Sequence, residues 1–553
     1  DTLECVLRSV KNYILLSLFL VLIACHNKQP KSTPKLIVLI SVDQMRGDYL
    51  TAFSSQLEYG LKDLTTNGLW FNNTHHQHAV TTTAAGHAAI GTGCNPSTNG
   101  IVNNTVYNRA LGYSHYSIED SSIRYVGIDS CALNRVSAKL LDKPSFGDIV
   151  KQNNPKCLSY SVSLKDRAAI LMGGHLANRA FWFDAASTQM VSTDYYTTTY
   201  PEWAKTYKGN TVVAADIEQG WILDPKFEIL ASTSSDSFAR EKGLFNPWFP
   251  HELSTMDPSR IYSSEAGEFL WHTPFGDKYV LEFSKKLIEE AQLGRDEHCD
   301  ILTVGLSAAD VIGHHFGPNS YEILDYYNKL DEYLGDFMTN VKNQVGEENV
   351  VFILTADHGV ADFPEILAQQ GVDAKRIERP QYEADIAAID ALLQKEFNLT
   401  ESTISKANYS GVEPALSYLA KQGIDTDVFC KSLQEKLKQL PYIEDTYSMT
   451  ELSDSSNNSK KYMQAMRNSF DPRYGYYISL VPKEHYLIDM RENGTTHGTP
   501  YAYDTHVPLI FLGKDIEAQI VNKAVGTIDI APTVLGLLQI QALGMDGKNL
   551  FTE

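Results

Sequence analysis

No two of the seven cysteines (Cys5, Cys25, Cys94, Cys131, Cys157, Cys299 and Cys430) form a Cys-x-x-Cys pair. That spacing argues against a thiolate zinc site and leaves one or two disulfides of open connectivity. Basic charge is also short. The chain has 47 Lys and Arg against 68 Asp and Glu, a net charge of −21. Such a surface repels a phosphate backbone and argues against binding nucleic-acid duplexes. An anionic substrate therefore needs cations gathered at one place, from metals or from a few Lys and Arg. The apolar run near the start, Tyr13 to Ala24, has 12 residues. A membrane-spanning helix needs about 20. No internal repeat is visible.

What remains is the composition of an ordinary globular protein, 43% hydrophobic over 553 residues. Arg8 and Lys11 precede the Tyr13–Ala24 run, whose length suits a signal-peptide core. It ends in Leu22-Ile23-Ala24-Cys25, which resembles a bacterial lipobox. That resemblance implies cleavage before Cys25 and a lipid on its sulfur. The expected product is an exported periplasmic or cell-envelope lipoprotein, held to the membrane through Cys25. Residues 1–25 are then the leader, 26–34 a polar tether and 35–553 the main domain.

Three apolar runs each lead into acidic residues, two of them with a histidine close by. Lys35–Val42 ends at Asp43, Asp300–Ser307 runs into Asp310-x-x-x-His314, and Asn349–Ala356 ends in Asp357-His358. Runs without alternation predict central strands buried on both faces, and open α/β sheets bind ligands at strand C-termini. Asp310 and His314 share one face of a helical turn. Thr81-Thr-Thr83-Ala-Ala-Gly-His87 places hydroxyls where a helix can begin, and a helix N-terminus attracts an anion. Downstream, Gly91–Gly100 reads as a turn-rich loop, followed by Asn103 and Asn104, either of which could donate to an oxyanion. Cys157–Ser163 reads as a strand leading to Lys165 and Arg167. Two apart on an extended backbone, they point to one side. Leu50–Leu64, Asp277–Leu293, Tyr321–Val345, Ile386–Phe397 and Asp427–Leu440 read as helices. Residues 168–275 read as strands and loops of a substrate-facing wall, and 365–491 as an inserted lobe over the site. His506–Leu512 reads as a later strand, and Thr527–Leu538 starts a closing helix.

The ordered set Ser41-Val-Asp43-Gln-Met, Thr83-Ala-Ala-Gly-His87, Ser163-Leu-Lys-Asp-Arg167, Asp310-x-x-x-His314, Thr355-Ala-Asp-His-Gly359, His497-Gly-Thr-Pro and Ile528-Asp-Ile-Ala-Pro-Thr resembles the alkaline phosphatase superfamily. Within it, the set is similar to the branch shared with nucleotide pyrophosphatase/phosphodiesterases, and most of all to phosphate-irrepressible, PafA-type bacterial alkaline phosphatases. The resemblance spans about Lys35 to the C-terminus. It implies an α/β fold with a central, mostly parallel sheet flanked by helices, and a phosphate monoester hydrolase working through a phosphothreonine. It implies two Zn²⁺ ions, one on Asp310, His314 and His497, the other on Asp43, Asp357 and His358 with the Thr83 oxygen. Carboxylate and imidazole ligands suit zinc on chemical grounds too, and paired metals can stabilise both attacking and leaving oxygens. Thr83 is the implied nucleophile, with Asn104, Lys165 and Arg167 on the phosphoryl oxygens. The sequence departs from the usual pattern at Asn103, where Gly is common, and at Val106, where Trp is common. Asn103 therefore stands as the alternative to Asn104. Lys165 and Arg167 favour a monoester dianion over a diester, because charge-assisted bonds are the stronger kind.

Competing signals are weaker. Cys94-Asn-Pro-Ser-Thr98 resembles a sulfatase signature but has Thr98 where Arg is expected. His75, His76 and His78 have no carboxylate partner in sequence, His87 is expected beneath the Thr83 helix, and His506 is the rival to His497. The alternatives to a monoesterase are a phosphodiesterase or nucleotide pyrophosphatase, and a non-catalytic lipid-anchored binding protein. A monomer acting on small phosphate monoesters is the expected state.

Overall fold

Strands that are buried at every position must be covered on both sides, and three such strands, mostly apolar, lie side by side at the centre of this molecule. The structure is a computed structural model that describes residues 33–128, 135–227, 236–456, 458–489 and 492–552. The expected leader, with Cys25, and all of the tether before Thr33 lie outside the described residues. The main sheet has ten strands. In chain order they are β1 (Leu36–Val42), β2 (Leu69–Phe71), β3 (Tyr125–Val126), β4 (Ser159–Ser163), β5 (Arg179–Asp184), β6 (Gln189–Thr193), β7 (Asp300–Leu306), β8 (Val350–Thr355), β9 (Ile510–Gly513) and β10 (Gln519–Val521). Their spatial order is β10-β2-β9-β8-β1-β7-β4-β5-β6-β3. The run β8-β1-β7-β4-β5 is parallel, and β9 and β6 close its two sides antiparallel. Val38 sits in register between Leu302 and Phe352.

Period-two alternation sorts β1 between two cores. Val38 and Ile40 pack with Phe283 and Leu287 of α3 (Pro274–Ala291) and Leu330 and Leu334 of α5 (Tyr321–Val345). Ile37 and Leu39 face the other way, with Ile90 of α1 (Thr83–Thr92) and Met172 of α2 (Asp166–Gly173). α4 (Ala308–Phe316) follows β7 directly. Parallel pairing puts the C-terminal ends of β1, β4, β7 and β8 along one edge, where Asp43, Lys165, Asp310 and Asp357 follow.

Residues between β8 and β9 build a separate four-stranded sheet from Ile404–Asn408, Gly411–Pro414, Ile478–Pro482 and Ile443–Ser448. Helices Arg379–Glu396 and Thr426–Leu437 cover it, and Leu393, Val412, Phe429, Leu433 and Ile478 form its core. No helix of the described residues is long and apolar enough to cross a membrane.

Several elements differ from the sequence reading. The expected Leu50–Leu64 helix is two, Tyr49–Ala52 and Gly60–Asn67. Asp331 of α5 accepts the backbone N–H groups of Glu58, Tyr59, Leu61 and Lys62, starting the second helix from outside. The expected His506–Leu512 strand breaks at Pro508, which has no N–H to give a ladder. His506–Val507 pairs with Thr74–His75, and β9 follows in the main sheet. The reading of 168–275 as a substrate-facing wall is corrected. Phe181, Trp182, Phe183 and Trp221 are core residues, because β5 lies inside the sheet and its aromatic rings fill the space under the helices.

Candidate active site

Thr83 opens α1. Thr82 is extended (φ −126°) as its N-cap, and Thr83 is 1% exposed. The helix lies so close to β8 that a Cβ on Gly86 would meet the Asp357 carbonyl oxygen at 2.1 Å. That position requires glycine, and the approach brings Thr83 to the strand ends. Asn104 Oδ1 accepts the Ala84 N–H at 2.8 Å, so the Asn104 carboxamide sits on the first turn of α1. Asn103 turns back to accept the N–H of Asn104 at 2.7 Å. Between the two asparagines, the one at the helix N-terminus is Asn104.

The acidic residues and histidines converge. His358 Nε2 lies 3.5 Å from Asp43 Oδ1 and 3.3 Å from Asp357 Oδ2. Asp310 Oδ1 lies 3.3 Å from His314 Nε2 and 3.6 Å from His497 Nε2. Each imidazole gives its Nδ1–H to a backbone carbonyl: His314 to Thr495, His358 to Gly359 and His497 to Thr81, at 2.7, 2.9 and 2.7 Å. A carbonyl only accepts, so Nδ1 carries the proton and Nε2 presents a lone pair to the carboxylates. This second-partner arrangement is the one that metal-ligating histidines use.

The charge balance at His358 is the decisive feature. Asp43 Oδ1, Asp357 Oδ2 and His358 Nε2 are buried and have no hydrogen-bond donor. Burial holds the His358 imidazole well below its ordinary pKa, and burial beside Asp43 pushes the Asp357 carboxyl well up. Three acceptors crowded together in a low-dielectric interior call for a cation among them. Asp43, Asp310 and His358 form one group whose ligand atoms lie within 4.8 Å of one another, and Asp310, His314 and His497 form a second. The donor set of carboxylate oxygens and imidazole nitrogens fits divalent metal ions.

Lys165 and Arg167 reach the same edge by different routes. Lys165 is the extended N-cap of α2, whereas Arg167 lies in its first turn. The expected extended backbone through both is therefore corrected: the strand ends at Ser163 and the helix begins at Asp166. Lys165 Nζ donates to Asp43 Oδ2 at 2.6 Å and Asp310 Oδ2 at 2.5 Å, bridging the two carboxylate groups. Arg167 reaches Thr83 Oγ1 at 3.4 Å and the Tyr116 hydroxyl at 3.3 Å. Tyr116 in turn donates to Asp166 Oδ1 at 2.6 Å.

Three further residues, two of them outside the sequence motifs, also hold the site. Gln44 donates its N–H to Asp357 Oδ1 at 3.1 Å and its Nε2 to Asp310 Oδ1 at 2.8 Å. It does so from φ 67°, a backbone conformation that non-glycine residues seldom adopt. Tyr116 orders Arg167. Asp277 of α3 accepts the N–H groups of Ser307 and Ala308, at the start of the helix that carries Asp310 and His314. Only a neighbour's geometry reveals Tyr116 and Asp277, whereas Gln44 stands inside the Ser41–Met45 motif and only its bonds to the carboxylates come from the fold.

The remaining histidines have other tasks. His87 lies within α1, on its buried side, and donates to the Thr83 carbonyl at 2.8 Å. His76 bonds the Ala356 carbonyl and Thr527. His75 stacks on His506, whose Nε2 donates to the Asn72 carbonyl. Cys94 lies beyond the C-terminal end of α1, about 15 Å along the axis from Thr83. A cleft of about 340 Å³ opens on the site, lined by Thr82, Asn104, His314 and His497. Tyr409, Tyr474 and Tyr476, from the segment between β8 and β9, line its wall.

Comparison with known proteins places the family and the fold. The type I phosphodiesterase / nucleotide pyrophosphatase family matches residues 37–499. Alkaline phosphatase PafA of Elizabethkingia meningoseptica is 33% identical over 92% of each chain. Alkaline phosphatase PhoV of Synechococcus elongatus is 31% identical, over 93% of this chain and 91% of that one. The crystal structure of wild-type PafA superposes with a TM-score of 0.86 at 32% identity, covering 95% of this chain and 99% of that one. Murine ectonucleotide pyrophosphatase/phosphodiesterase 5 shares the fold, with a TM-score of 0.52 at 13% identity. The chain belongs to the type I phosphodiesterase / nucleotide pyrophosphatase family, among its alkaline phosphatases.

Proposed function

We propose that this alkaline phosphatase is a dizinc enzyme that cleaves phosphate monoesters through a phosphothreonine at Thr83. The observation that carries the proposal is the meeting of buried, donor-less carboxylate and imidazole atoms beside the helix that begins at Thr83. Asp310, His314 and His497 would hold one zinc ion, and Asp43, Asp357, His358 and the Thr83 oxygen the other. Bound there, the pair supplies Lewis-acid charge that favours a threonine alkoxide and a departing alkoxide.

The chain's own residues account for the rest. Thr83 Oγ1 attacks phosphorus in line, and the bond to the leaving oxygen breaks. Water then cleaves the Oγ–P bond, releasing phosphate and returning the hydroxyl. The Asn104 carboxamide, anchored on Ala84, offers its amide N–H groups to a non-bridging oxygen. Arg167 already lies within reach of Thr83 Oγ1, so it meets the transferred group where charge develops. Lys165 adds a second cation. A monoester dianion draws on both cations, whereas a diester has one charge less and one non-bridging oxygen fewer. The expected Cys25 anchor would hold this activity in the cell envelope, a reading that rests on residues 13–25 of the sequence alone.

The test compares an aryl phosphate with the matching aryl methyl diester, with zinc supplied. Wild-type enzyme should favour the monoester in kcat/KM. Lys165→Ala should lower monoester turnover by about a hundredfold while changing diester turnover less than about tenfold. Equal losses on both substrates would contradict the assignment of Lys165. An acid-quenched phosphopeptide should map to Thr83, and Thr83→Ala should abolish it.

A further inference from the structure

We propose that the outer part of the cleft is a leaving-group subsite for a planar aromatic group, with Tyr409 as its stacking platform. The inference rests on the monoesterase reading and adds a substrate class to it.

Tyr409 stands at the tip of the hairpin formed by Ile404–Asn408 and Gly411–Pro414, at the cleft wall. It is 44% exposed, and no other aromatic ring among the described residues stacks on it. An exposed ring on a loose tip would mean little, but this tip is held from three sides. Asn408 Oδ1 accepts the N–H groups of Ser410 and Gly411, the Asn408 carbonyl accepts the Tyr382 hydroxyl at 2.6 Å, and the Ser410 carbonyl accepts the Leu480 N–H. Rigid aromatic side chains give contact area at low entropic cost. Beside it, Tyr476 lies parallel to Tyr107, with centroids 6.1 Å apart and planes within 15°. Gly475 donates to the Tyr107 carbonyl, so this pair joins the lobe to the hairpin of Thr105–Asn108 and Tyr113–Tyr116. Asn104, His314 and His497 line the same cleft as Tyr409 and Tyr476, so the ester substituent of a phosphoryl group bound beside them shares that cleft with this wall. The volume of about 340 Å³ lies within the usual range for a ligand of nucleoside size. Tyrosine faces match a nucleobase or an aryl ring, and stacking tolerates any base because each has a π face.

The experiment compares AMP with ribose 5-phosphate. Both release a primary alcohol at the same position, so their kcat/KM ratio isolates the base. The ratio should favour AMP by about tenfold in the wild type. It should fall towards one in Tyr409→Ala and in Tyr476→Ala, while Tyr409→Phe retains it. Any general damage to the site cancels in the ratio. A wild-type ratio near one, or a ratio unchanged by both alanine variants, would overturn the subsite. Loss of activity on every monoester, ribose 5-phosphate included, would instead count against the monoesterase reading.

Discussion

Arg167 depends on a tyrosine that no motif contains. The Tyr116 hydroxyl contacts both Asp166 and Arg167 and fixes the guanidinium beside Thr83. Tyr116→Phe removes two bonds and leaves the ring. Monoester kcat/KM should fall by about three- to tenfold, with the fold intact by circular dichroism. In an Arg167→Ala background the same change should have little further effect, since the two act as a unit. Full additivity would show that Tyr116 acts elsewhere. Gln44 is the parallel case among the carboxylates. Its strained backbone and its two bonds hold Asp310 and Asp357 at fixed positions, and strain of this kind is stored where a site over-determines it.

Among the elements, α4 shows how a helix start is controlled from a neighbour. Asp277 of α3 accepts from Ser307 and Ala308 and from the Tyr326 hydroxyl. Burial raises its carboxyl to about 7, above the unfolded range near 3.9. The folded chain therefore takes up a proton between those values. The stability from the protonated form is complete below about pH 4 and is lost as pH rises through about 7. Against Asp277→Asn, which cannot ionise, wild-type protein should lose ground steadily in urea midpoints measured from pH 4 to pH 7. A difference that stays flat over this window would contradict the raised carboxyl. Asp277→Ala should cost about 2 kcal/mol, because two backbone N–H groups lose their acceptor.

Periodicity carried much of the sheet. β1, β7 and β8 are apolar at nearly every position, and such runs have few other solutions than a doubly covered parallel strand. Helix α5 also follows its period without interruption. What escaped the sequence was set at long range. Asp331 starts the Gly60–Asn67 helix from another element, 270 residues away from Leu61. Lys165 and Arg167 read as extended backbone after the strand because nothing local marks the helix that begins at Asp166. The buried acids and histidines stood out through their recurrence at strand ends, whereas Tyr116, Gln44 and Asp277 act through partners that only folding supplies.

At the scale of the whole molecule, segments from Asp43 to His497 meet at one edge of one sheet, and a second small sheet stands over that edge. The strand ends of the main sheet and the start of α1 gather the charged residues and Thr83, while the lobe between β8 and β9 supplies a tyrosine wall. The division predicts that substitutions in the wall change which ester is preferred, and that substitutions at the strand ends remove turnover altogether. The central claim is that two ligand groups, joined through Lys165, each hold one metal. Zinc bound per chain, measured after dialysis on wild type, His314→Ala and His358→Ala, tests it most directly. The account predicts about two ions in the wild type and about one in each variant. A wild-type chain that retains no zinc, or variants that both keep the wild-type content, would contradict it.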